Sequence, residues 1–199
     1  MCGRFENKRI NKDVIDLFIQ SKIIIEIDSS IDQVGREDIR PTQKILSIIR
    51  KENNYILTKV NWGIKFSKDS PLIFNSRIET IKEKKFWNNL FDRNRCIVPM
   101  TGFYEWKVQG TSKIKYRVYL PDQDIFFVPA LYESDKGNNI CASLITTVPN
   151  KFISQIHHRM PVIFDFQQAV KFMTDDVQNN LQNCQPYDNK KGMTIEIAD

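Results

Sequence analysis

Cysteine and histidine are scarce in this chain. The four cysteines stand at 2, 96, 141 and 184, with no C-x-x-C pair and no disulfide-like spacing. A disulfide framework is therefore not expected, and a reduced, cytosolic-type compartment is. The two histidines are adjacent, at 157 and 158, without an H-x-x-x-H partner. A metal site needs three or four converging ligands, so neither a metal nor a cofactor is expected. Long apolar runs are missing as well: the longest aliphatic run, IIIEI at 23–27, is too short for a bilayer and carries a charge. From position 2 the chain reads Cys-Gly-Arg-Phe-Glu-Asn-Lys-Arg, with no apolar core of a signal peptide. No membrane partner is expected, and the expected location is cytoplasmic, with the nucleoid if the source is bacterial. Repeats, low-complexity tracts and linker-like stretches are also absent, which predicts one domain over residues 1–199 and a monomer.

Against these absences stand 41% hydrophobic residues and 13 phenylalanines in 199 residues. That is enough for a buried core rather than a disordered chain. Charge is unevenly spread. Residues 1–164 hold 26 Lys+Arg and 18 Asp+Glu, a net of +8, while residues 165–199 hold 3 and 6, a net of −3. The basic excess suits a polyanion such as nucleic acid, and equally a solvated lysine-rich surface.

Periodicity supplies the elements. NKDVIDLFIQSK, at 11–22, reads as an amphipathic helix with Val14, Leu17 and Phe18 on one face. Strands are predicted at 44–50 and 55–63 around a polar KENN turn, and again at 96–99, 103–108, 113–120, 124–133 and 140–148. TIKEKKFWNNLF, at 80–91, reads as a charged helix, and residues 165–199 as a C-terminal helical segment following the basic core at 1–164. Strands joined mostly by short turns, with helices at the flanks, predict an α+β fold. Its core is mostly antiparallel β, barrel-like or two packed sheets.

The chain opens Met-Cys-Gly-Arg-Phe. Removal of Met1 puts the Cys2 thiol and the chain's own amine on one carbon, a 1,2-aminothiol that no other position offers. Such a pair condenses with aldehydes: the amine forms an imine, the thiol adds, and a thiazolidine ring closes. An α-amine titrates at about 7.7–8.0 and a thiol at about 8.5, so both are usable near neutrality. Imine formation expels water from a carbinolamine and needs proton shuttles. Glu105, between aromatics in Phe-Tyr-Glu-Trp, suits that task if an apolar surround raises its pKa, and is otherwise an outward strand carboxylate. Either histidine fits proton transfer. Asn75 offers an amide to orient a reacting group, or fills a turn. Arg4, Arg77 and Arg159 have the fork that grips phosphate, or pair with structural carboxylates. Trp62, Phe103, Tyr104 and Trp106 stack on bases or belong to the core.

Four stretches follow in order: CGRF at the start, FNSRIET at 74–80, CIVPMTGFYEWK at 96–107 and ITTVPNKFISQIHHRMPVIF at 145–164. Together they resemble the SRAP family, the SOS response-associated peptidases or abasic-site-processing proteins. The elements carrying the likeness are Asn75-Ser76-Arg77-Ile78-Glu79-Thr80, Pro99 to Trp106, and Thr146 to Pro161. The resemblance implies loss of Met1 and attack of Cys2 on the ring-opened aldehyde of an abasic site in single-stranded DNA, giving a thiazolidine crosslink that shields the lesion. It implies Cys2 as nucleophile, Asn75 holding the amine or the deoxyribose, Glu105 as general acid/base and His157 assisting ring opening. Arg4, Arg77 and Arg159 become the expected phosphate contacts, with Trp62 and Trp106 as base-facing aromatics. Three departures stand out: His158 where the family often has Asp, no Pro-Gly-Trp pattern after Trp62-Gly63, and no late Val-x-x-x-Val-x-Asn signature. Two other functions are compatible with the residues, an N-terminal-nucleophile cysteine peptidase and a single-stranded DNA-binding module with an inert Cys2.

Overall fold

Alternating apolar residues build the largest sheet. The computed structural model describes residues 2–8, 10–29, 31, 36–134 and 139–198. In it Lys44–Lys51 (β4) and Asn54–Trp62 (β5) form an antiparallel hairpin in register along their whole length. Along β4, Ile45 and Ile49 point to one face and Leu46 and Ile48 to the other, and all four are buried. A strand buried on both faces belongs to a sheet covered on both sides.

The remaining strands are β1 (Arg4–Asn7), β2 (Ile25–Ile27), β3 (Arg36–Ile39), β6 (Asn75–Arg77), β7 (Arg95–Met100), β8 (Gly102–Gln109), β9 (Ser112–Tyr119), β10 (Phe126–Ser134), β11 (Ile140–Thr147), β12 (Met160–Pro161) and β13 (Thr194–Ile197). They make an eight-stranded sheet, whose main path runs β12-β11-β10-β7-β4-β5-β2, and a five-stranded sheet ordered β13-β9-β8-β1-β3. A parallel contact of β11 with β5, at Cys141–Asn61 and Ala142–Trp62, bends the larger sheet into a barrel-like ring. β6 also lies parallel on β11, with Asn75 opposite Leu144.

One apolar cluster unites the sheets, with Phe5 and Phe103 of the smaller sheet against Trp62, Val98, Phe126 and Leu144 of the larger. The outer face of the larger sheet is covered by helices α1 (Ile10–Gln20), α3 (Lys85–Arg93) and α4 (Phe166–Thr174). Each helix buries residues at the three- and four-residue spacings of a helix face: Val14 and Phe18, Trp87, Leu90 and Phe91, then Ala169, Phe172 and Met173. Burying each large side chain contributes about 1.5–3 kcal/mol. α4 starts with a reciprocal cap, in which the Gln168 N–H donates to Asp165 Oδ1 (2.8 Å) and the Asp165 N–H to Gln168 Oε1 (3.1 Å). None of the helices among the described residues is long and apolar enough to cross a membrane.

Two readings of the sequence change. The stretch expected as one helix at 80–91 is two, α2 (Ile78–Ile81) and α3. Its buried positions explain the break: Ile81 and Trp87 are six residues apart and do not share the face that Trp87, Leu90 and Phe91 share. The C-terminal segment is helical only through α4 and α5 (Val177–Asn183), and it then ends as the edge strand β13. Residues 194–197 pair with β9, and Glu196 of that strand takes the Arg117 guanidinium at 2.9 Å. This partner lies too far back in sequence for local pattern to reveal it.

Candidate functional site

Cys2 is fully buried two residues before β1, inside the cluster between the sheets. β1 fixes its surroundings, because Arg4, Phe5 and Glu6 face Tyr104, Phe103 and Gly102 of β8. The same register continued brings Glu105 level with Gly3, beside the chain's beginning. A buried carboxylate locks this pairing. Glu6 has no exposed surface, and it accepts hydrogen bonds from Tyr104 Oη (2.6 Å) and from Arg117 Nη2 (2.7 Å) and Nε (3.0 Å). Gly102 has to be glycine for this to fit, since a Cβ there would lie 2.8 Å from Glu6 Oε1.

The other half of the site hangs from the larger sheet. Ser76 Oγ and Ser143 Oγ, both buried, bond across β6 and β11 at 2.7 Å. They hold Asn75 so that its Nδ2 donates to the main-chain oxygen of Cys2 at 2.8 Å. Asn75 Oδ1 is buried and has no hydrogen-bond partner among the described residues, so it is an acceptor in reach of an incoming donor. A single 3-10 turn, Ile153–Gln155, then delivers His157, whose N–H donates to Ile153 O at 2.8 Å. Its Nδ1 lies 3.8 Å from Glu105 Oε1. The imidazole stacks on His158 with ring centres 4.4 Å apart.

The electrostatics of these groups are mutually adjusted. Burial raises the Glu105 carboxyl to about 7, near the point of half-protonation at neutral pH. Burial, then the negative charge of Glu105, lift the Cys2 thiol well above its ordinary range. His157 is lowered, first by burial and then by the positive charge of the chain's N-terminus, so the neutral ring is favoured. Cys2, Asn75, Glu105 and His157 thus meet as one constellation, although they come from positions up to 155 residues apart.

Two surface grooves open beside it. One, of about 820 Å³, is lined by Glu105, Trp106, Lys107, Lys113, His157 and His158. The other, of about 270 Å³, is lined by Asn75, Arg77, Thr80, Lys84 and Trp87 among others. Both carry lysine or arginine. A separate hollow of about 430 Å³ contains Asp13, Asp16, Asp124 and Asp165 and shares none of these residues, and its charge repels a polyanion.

The expected nucleic-acid contacts divide. Arg77 is exposed and makes no ion pair among the described residues. Arg4 is half-buried, 3.3 Å from Asp38, with its guanidinium 5.2 Å above the Trp106 ring. Trp62 needs correction as a base-facing residue: it has no exposed surface, its Nε1 donates to Phe74 O at 2.9 Å, and Phe5 packs edge-on against it. It belongs to the core. Arg159 is likewise not open to phosphate here, being buried with both Nη atoms on Glu79, at 2.9 Å each. Sequence reasoning missed the partners Glu6 and Glu79, since nothing local distinguishes a carboxylate that will be buried or paired. For Glu79 the one available signal was its place in the Asn75–Thr80 element. Among the described residues no three His, Cys, Asp or Glu side chains gather into a metal-binding group.

The chain is similar to a number of known proteins. A family model described as SOS response associated peptidase (SRAP) matches residues 1–198. The chain is 32% identical over 204 residues to the abasic site processing protein YoqW of Bacillus subtilis (strain 168), covering 94% of this chain and 88% of that one. It is 35% identical over 176 residues to the abasic site processing protein YoaM of the same organism, covering 82% and 74%. An X-ray structure of a protein from Bacteroides thetaiotaomicron superposes with a TM-score of 0.78 at 23% identity, over 98% of this chain and 92% of that one. That likeness is one of fold.

Proposed function

The chain belongs to the SOS response associated peptidase (SRAP) family, and from that premise we propose that it processes abasic sites in single-stranded DNA by covalent capture through Cys2 after removal of Met1. The observation that carries the reading is the convergence on Cys2 of an amide clamp, Asn75 Nδ2 at 2.8 Å from its main-chain oxygen, and of the Glu105–His157 pair, 3.8 Å apart. The relatives YoqW and YoaM are named abasic site processing proteins, which supports the substrate class.

Once Met1 is gone, the Cys2 amine adds to the ring-opened aldehyde and forms a carbinolamine. Loss of the hydroxyl as water needs a proton, and Glu105, whose carboxyl burial raises to about 7, suits holding and giving one near neutral pH. The Glu105 carboxylate left behind takes the thiol proton. This step matters because the buried thiol is held in its protonated form. The thiolate then adds to the carbon of the resulting iminium, whose nitrogen keeps its one N–H and becomes a neutral ring amine, and the thiazolidine closes with one water lost in all and Glu105 protonated again. The uncharged His157 ring, beside Glu105, suits a proton relay during sugar-ring opening. Asn75 Oδ1 supplies an acceptor for the amine or a sugar hydroxyl. Holding aldehyde and aminothiol together makes the condensation effectively intramolecular. Arg77 and Lys84 in one groove, with Lys107 and Lys113 in the other, carry the phosphates, and Arg4 and Trp106 border the second path.

Intact mass tests the reading. Purified protein should weigh one methionine less than its sequence. With single-stranded DNA bearing one abasic site it should gain the DNA mass less one water, and Cys2→Ala should gain nothing. A Cys2→Ala protein that crosslinks as fast as the parent would overturn the assignment.

A further inference from the structure

Arg159 is tied down at both ends. At its tip, Nη1 and Nη2 each lie 2.9 Å from one oxygen of Glu79, and Nη2 also donates to Thr146 O at 2.8 Å. At its root, both its main-chain N and its main-chain O lie 3.1 Å from Nδ1 of His157. The following residue, Met160, is held in β12 opposite Thr147 of β11. A side chain fixed bidentately to α2 and a main chain leading straight into a strand leave the peptide groups of Arg159 little freedom. Those peptide groups are what His157 Nδ1 rests against.

The contact suits both protonation states of the ring. A neutral ring accepts from the Arg159 N–H through Nδ1, and a ring protonated there donates to the Arg159 carbonyl. Both partners are already at 3.1 Å, so the proton is gained or lost without the ring turning. We propose that Glu79 is a positioning residue for His157, gripping the Arg159 guanidinium so that the Arg159 main chain holds the imidazole in place. For the reaction, this inference rests on the abasic-site reading above. Glu79 acts on His157 through Arg159, and its carboxylate also accepts from the main chain of Glu79 and Val148.

Charge follows the same path. The groups bearing on His157 are Glu105 from β8, the stacked His158, Arg159 itself and the chain's N-terminus. Arg159 acts on the ring in two ways: the hydrogen bond of its main chain raises the His157 pKa more than its guanidinium charge lowers it, and Glu79, 2.9 Å from that guanidinium, offsets its charge. Replacing Glu79 by Gln removes the compensation and half of the grip. Glu79 is about two-fifths exposed but Arg159 is buried, so Glu79→Gln leaves the guanidinium without a charged partner, and Glu79→Asp, which keeps the charge, is the control.

The test is a titration of Glu79→Gln and Glu79→Asp beside the parent, followed by the ring signals of the two histidines in NMR and by the rate of adduct formation. For Glu79→Gln the His157 midpoint should fall by roughly half a pH unit while His158 moves less. The adduct rate at pH 7 should drop about tenfold, with affinity for abasic single-stranded DNA within twofold. Glu79→Asp, which keeps the charge, should recover most of the midpoint and part of the rate. An unmoved His157 midpoint in Glu79→Gln, or a rate equal to the parent's across the pH range, would overturn the proposal. An equal loss in Glu79→Asp and Glu79→Gln of rate, affinity and melting temperature would also overturn it, since that marks a fold contact. If the parent itself forms no adduct, the Cys2 reading fails, while the histidine midpoints still decide whether Glu79 governs His157.

Discussion

Replacing Glu6 by Gln should lower the stability of this protein by about 3 kcal/mol while leaving its fold intact. The carboxylate is wholly buried and accepts three short bonds, from Tyr104 Oη and from two nitrogens of Arg117, with Lys8 Nζ a further 3.4 Å away. Hydrogen bonds to a charged group contribute about 1.5–3 kcal/mol each. The loss is smaller than their sum, because the amide keeps one acceptor oxygen and Arg117, still 23% exposed, keeps Glu196. About 3 kcal/mol also lies at the lower end of the roughly 3–5 kcal/mol found when one partner of a buried pair is removed. For a chain of this length that corresponds to a fall of about 6–12 °C in melting temperature at pH 7. The pH dependence follows from the same contacts. Burial alone would raise the Glu6 carboxyl, but the bonds from Arg117 and Tyr104 and the nearby positive charges outweigh it, and the group titrates below its usual range. Its contribution is therefore full above the unfolded value of about 4.3 and fades as pH falls through the folded value. Thermal unfolding of both proteins from pH 3 to 8 should show a constant gap above pH 5 that closes in acid. A gap under about 2 °C at pH 7, or one that widens in acid, refutes the reasoning.

The site offers two further tests. Glu105→Gln should slow adduct formation by about 10²–10⁴ with little change in DNA affinity, and the inflection near pH 7 in the parent's rate profile should vanish. Equal losses of rate and affinity would instead mean that Glu105 positions the DNA. Arg77→Ala should weaken binding to single strands of any sequence, and the slope of log affinity against log salt should decrease by about 0.7; an unchanged slope would remove Arg77 from the phosphate path.

What the sequence carried and what it hid follow from the range of the forces involved. The strands of the large sheet announce themselves, because Ile45, Ile49, Leu46 and Ile48 alternate between two buried faces within a few residues. β1 and β6 do not, since Arg4–Asn7 and Asn75–Arg77 are short and largely polar and become strands only through partners about 30 to 100 residues away. β3 and β13 are hidden for the same reason. Cys2 and the three residues around it, Asn75, Glu105 and His157, were legible as motifs, and the structure brings them together. Trp62 was misread because a ring that stacks on a base and a ring that fills a core look alike in sequence. Only its total burial and its bond to Phe74 O separate the two. Glu79 and Glu6 were invisible as partners for the complementary reason: an ion pair between distant elements leaves no periodicity behind.

The seam between the two sheets has a consequence for when this chain is reactive. Glu105 lies in the five-stranded sheet and Cys2 just before its strand β1, whereas Asn75 lies in the eight-stranded sheet and His157 in the turn that leads into its strand β12. A chain that has completed only one sheet holds half of the constellation, an aminothiol without its clamp or a clamp with nothing to hold. On the proposed mechanism, a molecule with one sheet unformed carries Cys2 apart from part of its proton relay. Under the capture proposed above, chemical competence requires both sheets, with Phe5 and Phe103 closed against Trp62 and Val98, so that only finished molecules engage an aldehyde efficiently.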